Sequence, residues 1–288
     1  MSKLMAGTYV ELEVARKVEF GYFLTDGYED ILLHIAEMKT DELTIGEKLE
    51  VYLYHDHQNR LSATMHRAAL VYGEASWLRV IDINPRLGVF LDQELRRDLL
   101  LPYSELPEER SEWPRLGDHL FVELTHDKQG RMLAKMARTE FLTADFTPGT
   151  EELKNQSLVG TVYKQFPDGA FLITGEGYLL FLPHSEMASP VRLGQELKVR
   201  VTYIREDGRM NASTKPLKHD AMDMDSEKIV EYMQGRGGSM PYSDKTSPDI
   251  IMEKFQLSKA AFKRALGKLM KEKRAYQEEG WTYLKEKE

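Results

Sequence analysis

The sequence predicts a mainly β protein with a C-terminal α+β module, assembled from several small domains. Three observations carry that expectation. Four landmarks recur three times in the same order within residues 1–214, and internal repetition is the first thing to read in a chain of this length. The stretches between the landmarks alternate apolar and polar residues, as half-buried strands do. Near residue 215 the apolar period lengthens to that of a helix.

The repeats run as follows. Each opens on Gly-x-Phe-Leu, at Gly21, Gly88 and Gly169. A Leu followed four residues on by Glu comes next, in LHIAEM from Leu33, LPYSEL from Leu101 and LPHSEM from Leu182. A Gly then starts an alternating segment: GEKLEVYLY, GDHLFVELT and GQELKVRVTY. Arg-[Leu/Met]-x-Ala closes each copy, in QNRLSAT, QGRMLAK and DGRMNAS. From opening Gly to closing Ala the copies span 42, 46 and 43 residues. The NR, QGR and DGR tips read as hairpin turns, and short strands in units of this size predict small closed or nearly closed barrels. HRAALVYGEA and RTEFLTADFTPGTEEL are the expected connectors. The expected modules are residues 1–66, 67–140, 141–215 and 216–288.

The layout Phe-Gly-x-Phe, Leu-His-Ile-x-Glu, Gly-Glu-x-Leu-x-Val and Asp-x-x-x-Arg-[Leu/Met]-x-Ala resembles the S1-type RNA-binding domain. That resemblance implies a five-stranded OB-fold barrel whose aromatics, His, Asp and Arg face single-stranded RNA. In copy one the matching positions are Phe20, Phe23, His34, Asp56 and Arg60. Aromatic rings stack on unpaired bases at about 1–3 kcal/mol each, and Arg pairs with phosphate or stacks. Phe23 read alone also fits a core position, since one of two neighbouring apolar strand residues faces inward.

The other copies depart from the pattern. Aligned on Glu37, Glu105 and Glu186, the position of His34 holds Pro102 and Pro183. A one-residue shift reverses the face of a strand residue, so His184 is not equivalent to His34. Leu87 and Asp168 replace Phe20, with Phe166 as a local substitute. Copy two keeps Phe90, Asp127 and Arg131; copy three keeps Phe171 and Arg209. The third hairpin reads as one residue longer, with Arg205 in place of the Asp.

The last module reads as helix, short strand, helix, turn, helix and hairpin, which is a winged helix-turn-helix. SEKIVEYMQ ends at GRGG, a left-handed cap. Ser247, Pro248 and Asp249 form a helix start, and Ser258 caps KAAFKRALGKLMK. On that last helix Ala261, Phe262, Ala265, Leu266, Leu269 and Met270 share one arc and are expected to face the core. Lys259, Lys263, Arg264, Lys268 and Lys271 belong to the most basic stretch of the chain, residues 259–274 with seven basic residues and one Glu. A solvated face or phosphate contact would both explain it. With no outward Asn or Gln, base-specific readout is not expected.

Composition narrows the function classes. Hydrophobic residues are 42% and charged residues 30%, the balance of soluble globular domains. No apolar run reaches the 18 residues a membrane span needs. The start, MSKLMAGTYVELEV, lacks a signal-peptide core. With no cysteine, disulfides, thiolate nucleophiles and Cys-containing zinc sites are excluded, and a cytoplasmic location fits. His55 and His57 share a strand face but lack a third ligand, and Asp220, Asp223 and Asp225 fall in an expected linker before a helix. No metal, cofactor or enzyme activity is therefore expected. The net charge is −8, so any nucleic-acid contact must be local. Residues 1–66 hold 6 basic against 12 acidic residues, which places the best-matched motif in the least favourable field.

Three S1-like barrels and a winged helix together resemble the conserved virulence factor B (CvfB-like) family of Gram-positive bacteria. That resemblance implies an RNA-binding regulator of gene expression, acting after transcription and reaching virulence genes. Two other readings stay open. A DNA-binding regulator would use the winged helix on duplex DNA. A protein-interaction scaffold would suit the acidic balance without binding nucleic acid.

Overall fold

A computed structural model describes residues 4–143, 146–216 and 218–285, with the side chains of residues 218–221 outside the description. The chain divides into two compact units, Met1–Thr214 and Lys215–Glu288.

The first unit holds three copies of one five-stranded design. Copy one consists of β1 (Tyr9–Val18), β2 (Gly21–Thr25), β3 (Asp30–His34), β4 (Lys48–His55) and β5 (Leu61–Thr64), closed in the order β1-β2-β3-β5-β4. Copy three repeats it with β11 (Ser157–Phe166), β12 (Gly169–Thr174), β13 (Leu179–Pro183), β14 (Glu196–Ile204) and β15 (Met210–Ser213), also closed. Copy two has β6 (Ala75–Asn84), β7 (Gly88–Asp92), β8 (Leu99–Pro102), β9 (His119–His126) and β10 (Met132–Met136). It remains a five-stranded sheet, order β10-β9-β6-β7-β8. The closing parallel pairs, Leu32↔Ser62 with Leu33↔Ala63 and Leu180↔Met210 with Phe181↔Asn211, have no counterpart between β8 and β10 among the described residues.

The landmarks have backbone and packing causes. The first strand of each copy carries a register shift, at Val14/Arg16, Val80/Asp82 and Val162/Lys164. Such a bulge bends one long strand so that it can pair on both sides of a small barrel. Gly21, Gly88 and Gly169 adopt φ of 148°, 131° and 157°, and a Cβ there would overlap the carbonyls of Leu33, Leu101 and Leu182 on the neighbouring strand. Only glycine fits so close a crossing. The closing alanines Ala63, Ala134 and Ala212 are buried in their barrel cores.

The barrels of the first unit also touch one another. Between copies two and three lies α1 (Thr139–Thr143), whose Leu142 is buried with Phe121, Ala137, Tyr163 and Leu179. Asp118 pairs with Arg192 across the same junction. Copies one and two are tied by Tyr52, whose hydroxyl donates to the Leu70 carbonyl at 2.8 Å.

The second unit contains α2 (Lys218–Gln234), β16 (Ser239–Met240), α3 (Pro248–Phe255), α4 (Lys259–Lys271), β17 (Ala275–Glu278) and β18 (Trp281–Leu284), with sheet order β16-β18-β17. The expected linker KHDAMDMD is part of α2, so Asp223 and Asp225 lie within a helix; the Asp220 side chain falls outside the described residues. Ser226 is buried inside this helix, and its hydroxyl stays satisfied by donating to the Met222 carbonyl at 2.7 Å. Ser258 caps α4 by accepting from the Ala261 amide at 3.2 Å. On α4 only Phe262, Ala265, Leu266 and Leu269 are buried. Met270, at the edge of that arc, is exposed, which corrects the expected core list.

Candidate nucleic-acid interface

The closing hairpins build the rim of each barrel. Asp56 accepts from the Gln58 and Arg60 amides through Oδ1, at 2.8 and 2.9 Å. Its Oδ2 accepts from the Arg60 guanidinium at 2.9 and 2.7 Å. Burial raises the Asp56 pKa, but the hydrogen bonds from Arg60 and Gln58 outweigh it and hold the carboxyl below its usual range. Asp127 does the same for Arg131, with 2.6 Å between Oδ2 and Nε. Both aspartates therefore fix the turn and aim the arginine.

The third hairpin is not longer. Arg205 N–H donates to the Arg209 carbonyl, as Asp56 N–H does to Arg60 and Asp127 N–H to Arg131. Arg205 stands in the Asp position, and the carboxylate has moved two residues on: Asp207 accepts from Arg209 Nε at 2.7 Å. The turn keeps its geometry and gains a second cation at the rim.

Strand register then defines one outward row on each barrel. In copy one it reads Arg16, Phe23, Leu32, Ser62, Tyr54, of which Ser62 and Tyr54 point away from the barrel core but are buried. Phe23 lies outside the core cluster formed by Tyr22, Leu24 and Leu33, and the Arg16 guanidinium covers its ring at 4.1 Å. Phe20 is exposed at the adjoining turn. His34 is exposed and accepts from the Ala36 amide through Nδ1 at 3.1 Å. The pairs Gly21↔His34, Gly88↔Pro102 and Gly169↔Pro183 place both prolines at its position. A cleft of about 310 Å³ joins His34, Tyr54, Asp56 and Arg60. Phe20 and Phe23 do not line it.

Copy three carries the richest row: Lys164, Phe171, Phe181, Asn211, Tyr203. Phe171 lies 4.9 Å from Phe181 and 5.3 Å from Phe166, centroid to centroid. Arg205 approaches the Phe181 ring at 5.9 Å, and Lys164 the Phe166 ring at 5.2 Å. A cleft of about 110 Å³ runs between these rings, Arg205, Arg209 and Thr139 and Thr143 of α1. Phe181, Tyr203 and the two threonines were not legible as site residues. The signal for Phe181 was its place opposite Phe171 in the hairpin.

Copy two is the poorest. Its row reads Asp82, Phe90, Leu100, and Leu87 stands where copy one has Phe20, as their carbonyls accept equivalent amides. Phe90 has no aromatic neighbour within stacking range among the described residues.

In the second unit Lys259, Lys263, Arg264 and Lys271 are exposed on α4. Lys268 is not on that face. Only 16% of its side chain is exposed, and it pairs with Asp223 and, at 3.6 Å, with Glu272. The helical period pointed Lys268 outward, but α2 begins early enough to cover it. The wing adds a feature absent from the sequence reading: Tyr276, Tyr283 and Trp281 stack in a line, with centroids 5.2 and 6.4 Å apart.

Comparison with known proteins agrees with this layout. Four family models match: an S1 domain over residues 6–66, the CvfB first S1-like domain over 75–135, the second domain of virulence regulatory factor CvfB over 142–216, and a CvfB-like winged helix domain over 227–284. The uncharacterized protein YitL of Bacillus subtilis is 44% identical over 279 residues, 97% of this chain and 93% of that protein. Conserved virulence factor B of Staphylococcus aureus is 34% identical over 247 residues, covering 85% and 82%. A crystal structure from Streptococcus pneumoniae, described as a multidomain protein with nucleic acid binding domains, superposes with a TM-score of 0.64 at 30% identity, covering 97% of this chain and 98% of that one.

Proposed function

The chain belongs to the CvfB-like family, and from that premise we propose that it binds single-stranded RNA through the outer rows of its barrels and the basic face of α4, and so regulates gene expression after transcription, virulence genes included. The observation that carries this reading is the aromatic row of copy three. Phe166, Phe171 and Phe181 gather around one cleft with Arg205 and Arg209 beside them. Ring faces suit unpaired bases, and the flanking cations suit the backbone between them.

The acidic total of −8 does not oppose this, because attraction to phosphate is screened within roughly 8–10 Å and is set by local groups. Several modest sites on one chain reach useful affinity together, since the second contact forms at high effective concentration. The matching relatives point the same way: one is described by nucleic acid binding domains and another is a virulence factor. Lys263 and Arg264 on α4 support phosphate contact from single or double strands, which is the specific ground for a DNA-binding alternative.

Photo-crosslinking of a 4-thiouridine-substituted single-stranded RNA tests the assignment. Crosslinked peptides from β12 and β13, which hold Phe171 and Phe181, are expected. Crosslinks confined to the second unit would move the RNA to the winged helix.

A further inference from the structure

The cleft of copy one is completed by copy two. Arg96, from the loop between β7 and β8, lines it together with His34, Asp56 and Arg60. Its Nε lies 3.2 Å from a Glu37 carboxylate oxygen. The loop is pinned there: Arg97 donates to the His55 carbonyl at 2.9 Å and to the Asp56 carbonyl, and Gln93 donates to the Arg97 carbonyl at 2.6 Å.

Glu37 is the landmark Glu shared by all three copies, and only here is it covered. Its side chain is 5% exposed, whereas Glu105 is exposed and Glu186 half-buried. A carboxylate this buried needs a compensating partner. Arg96 supplies it through one edge of its fork while 64% of its side chain stays exposed. Without Arg96 the lining would set the carboxylates of Asp56 and Glu37 against the guanidinium of Arg60, with His34 and His57 beside them.

We propose that Arg96 is a phosphate-binding residue of the first barrel, supplied by the second. One phosphodiester of a single-stranded RNA sits between the guanidinium groups of Arg60 and Arg96. The first barrel is then half of a site, and its match to an RNA-binding motif in an acidic field is explained by a cation from its neighbour. The inference rests on the RNA-binding reading above.

The test uses the full chain and a single-stranded RNA of about 12 nucleotides, within the span of one such barrel, with affinity followed across a salt series. The decisive variant is Glu37→Gln with Arg96→Ala, which removes the cation and the carboxylate it covers. It is expected to bind about tenfold more weakly, with the log–log salt slope reduced by about 0.7, one single-strand phosphate. Recovery of the original affinity and slope would mean that Arg96 only neutralises Glu37, and would overturn the proposal. Arg96→Gln keeps a hydrogen-bonding partner for Glu37 and guards against misfolding; the same loss is expected, and an unchanged slope counts against the proposal. Failure of the unsubstituted chain to bind the RNA would instead remove the reading on which it rests.

Discussion

Phe171 and Phe181 stand directly opposite each other on β12 and β13, with ring centroids 4.9 Å apart and planes tilted by 43°. The pair sits on the outer row of the third barrel, outside the core cluster around Leu172 and Leu180; Phe171 packs against the neighbouring cluster of Tyr163 and Leu179, and Phe181 does not. Replacing Phe181 by Ala should therefore cost recognition more than folding. Loss of one stacking ring corresponds to about 1–3 kcal/mol, or roughly 5- to 150-fold in RNA affinity, with the melting temperature nearly unchanged. Titration and thermal melting of one preparation give both numbers, and a large loss of stability would return the ring to a packing role.

Phe23 in copy one makes a parallel case. Its ring is capped by Arg16 at 4.1 Å and is not part of the core cluster. Phe23→Ala should weaken RNA binding by a smaller factor than Phe181→Ala, because no second ring flanks it. A variant that fails to fold would show that the outer row carries the barrel.

The hairpin arginines set the salt dependence. Arg131 and Arg209 are held by Asp127 and Asp207 at 2.6 and 2.7 Å and are aimed outward from the rim. Changing both to Ala should lower the log–log salt slope by up to about 1.4, at 0.7 for each single-strand phosphate. An unchanged slope would place the phosphates elsewhere.

On α4 the exposed and covered lysines should separate. Lys263→Ala should reduce binding without moving the melting temperature. Lys268→Ala should do the reverse, because it removes the partner of Asp223 and Glu272. Loss of roughly 1 kcal/mol in a unit of this size lowers melting by about 4–8 °C. The two single substitutions, each measured by melting and by binding, decide the matter.

Stability should also fall on mild acidification. His55 lies at the junction of copies one and two, with its Nδ1 buried and unpartnered. Burial, Arg97 and His126 hold its pKa below the ordinary 6.5, against smaller opposing effects of Asp56 and Asp127. The unfolded chain therefore takes up this proton at higher pH than the folded one, and stability is lost as pH falls below about 6.5. Melting of the first unit at pH 7.5 and 5.5 should show the drop, and His55→Gln should reduce it.

These contrasts show what a single sequence carries. The three barrels were legible because glycine crossings such as Gly21 under Leu33 and buried alanines such as Ala63 constrain residue type at fixed spacing. The winged helix was legible from its caps and from the buried arc through Phe262 and Leu266. Lys268 was misread because helical periodicity gives a direction but not the neighbour that covers it. The third hairpin was misread because Asp207 took over the role of Asp56 from a different position. Arg96 and the threonines of α1 could not be read at all, since their place beside a cleft depends on how one barrel sits against the next.

The most direct measurement is fluorescence anisotropy of the full chain with a single-stranded RNA and with duplex DNA of equal length, across a salt series. Tighter binding of the RNA, persisting at physiological salt with a modest slope, is the predicted result. Equal, weak binding of both that disappears at physiological salt would contradict stacking on the barrels and leave only nonspecific charge attraction.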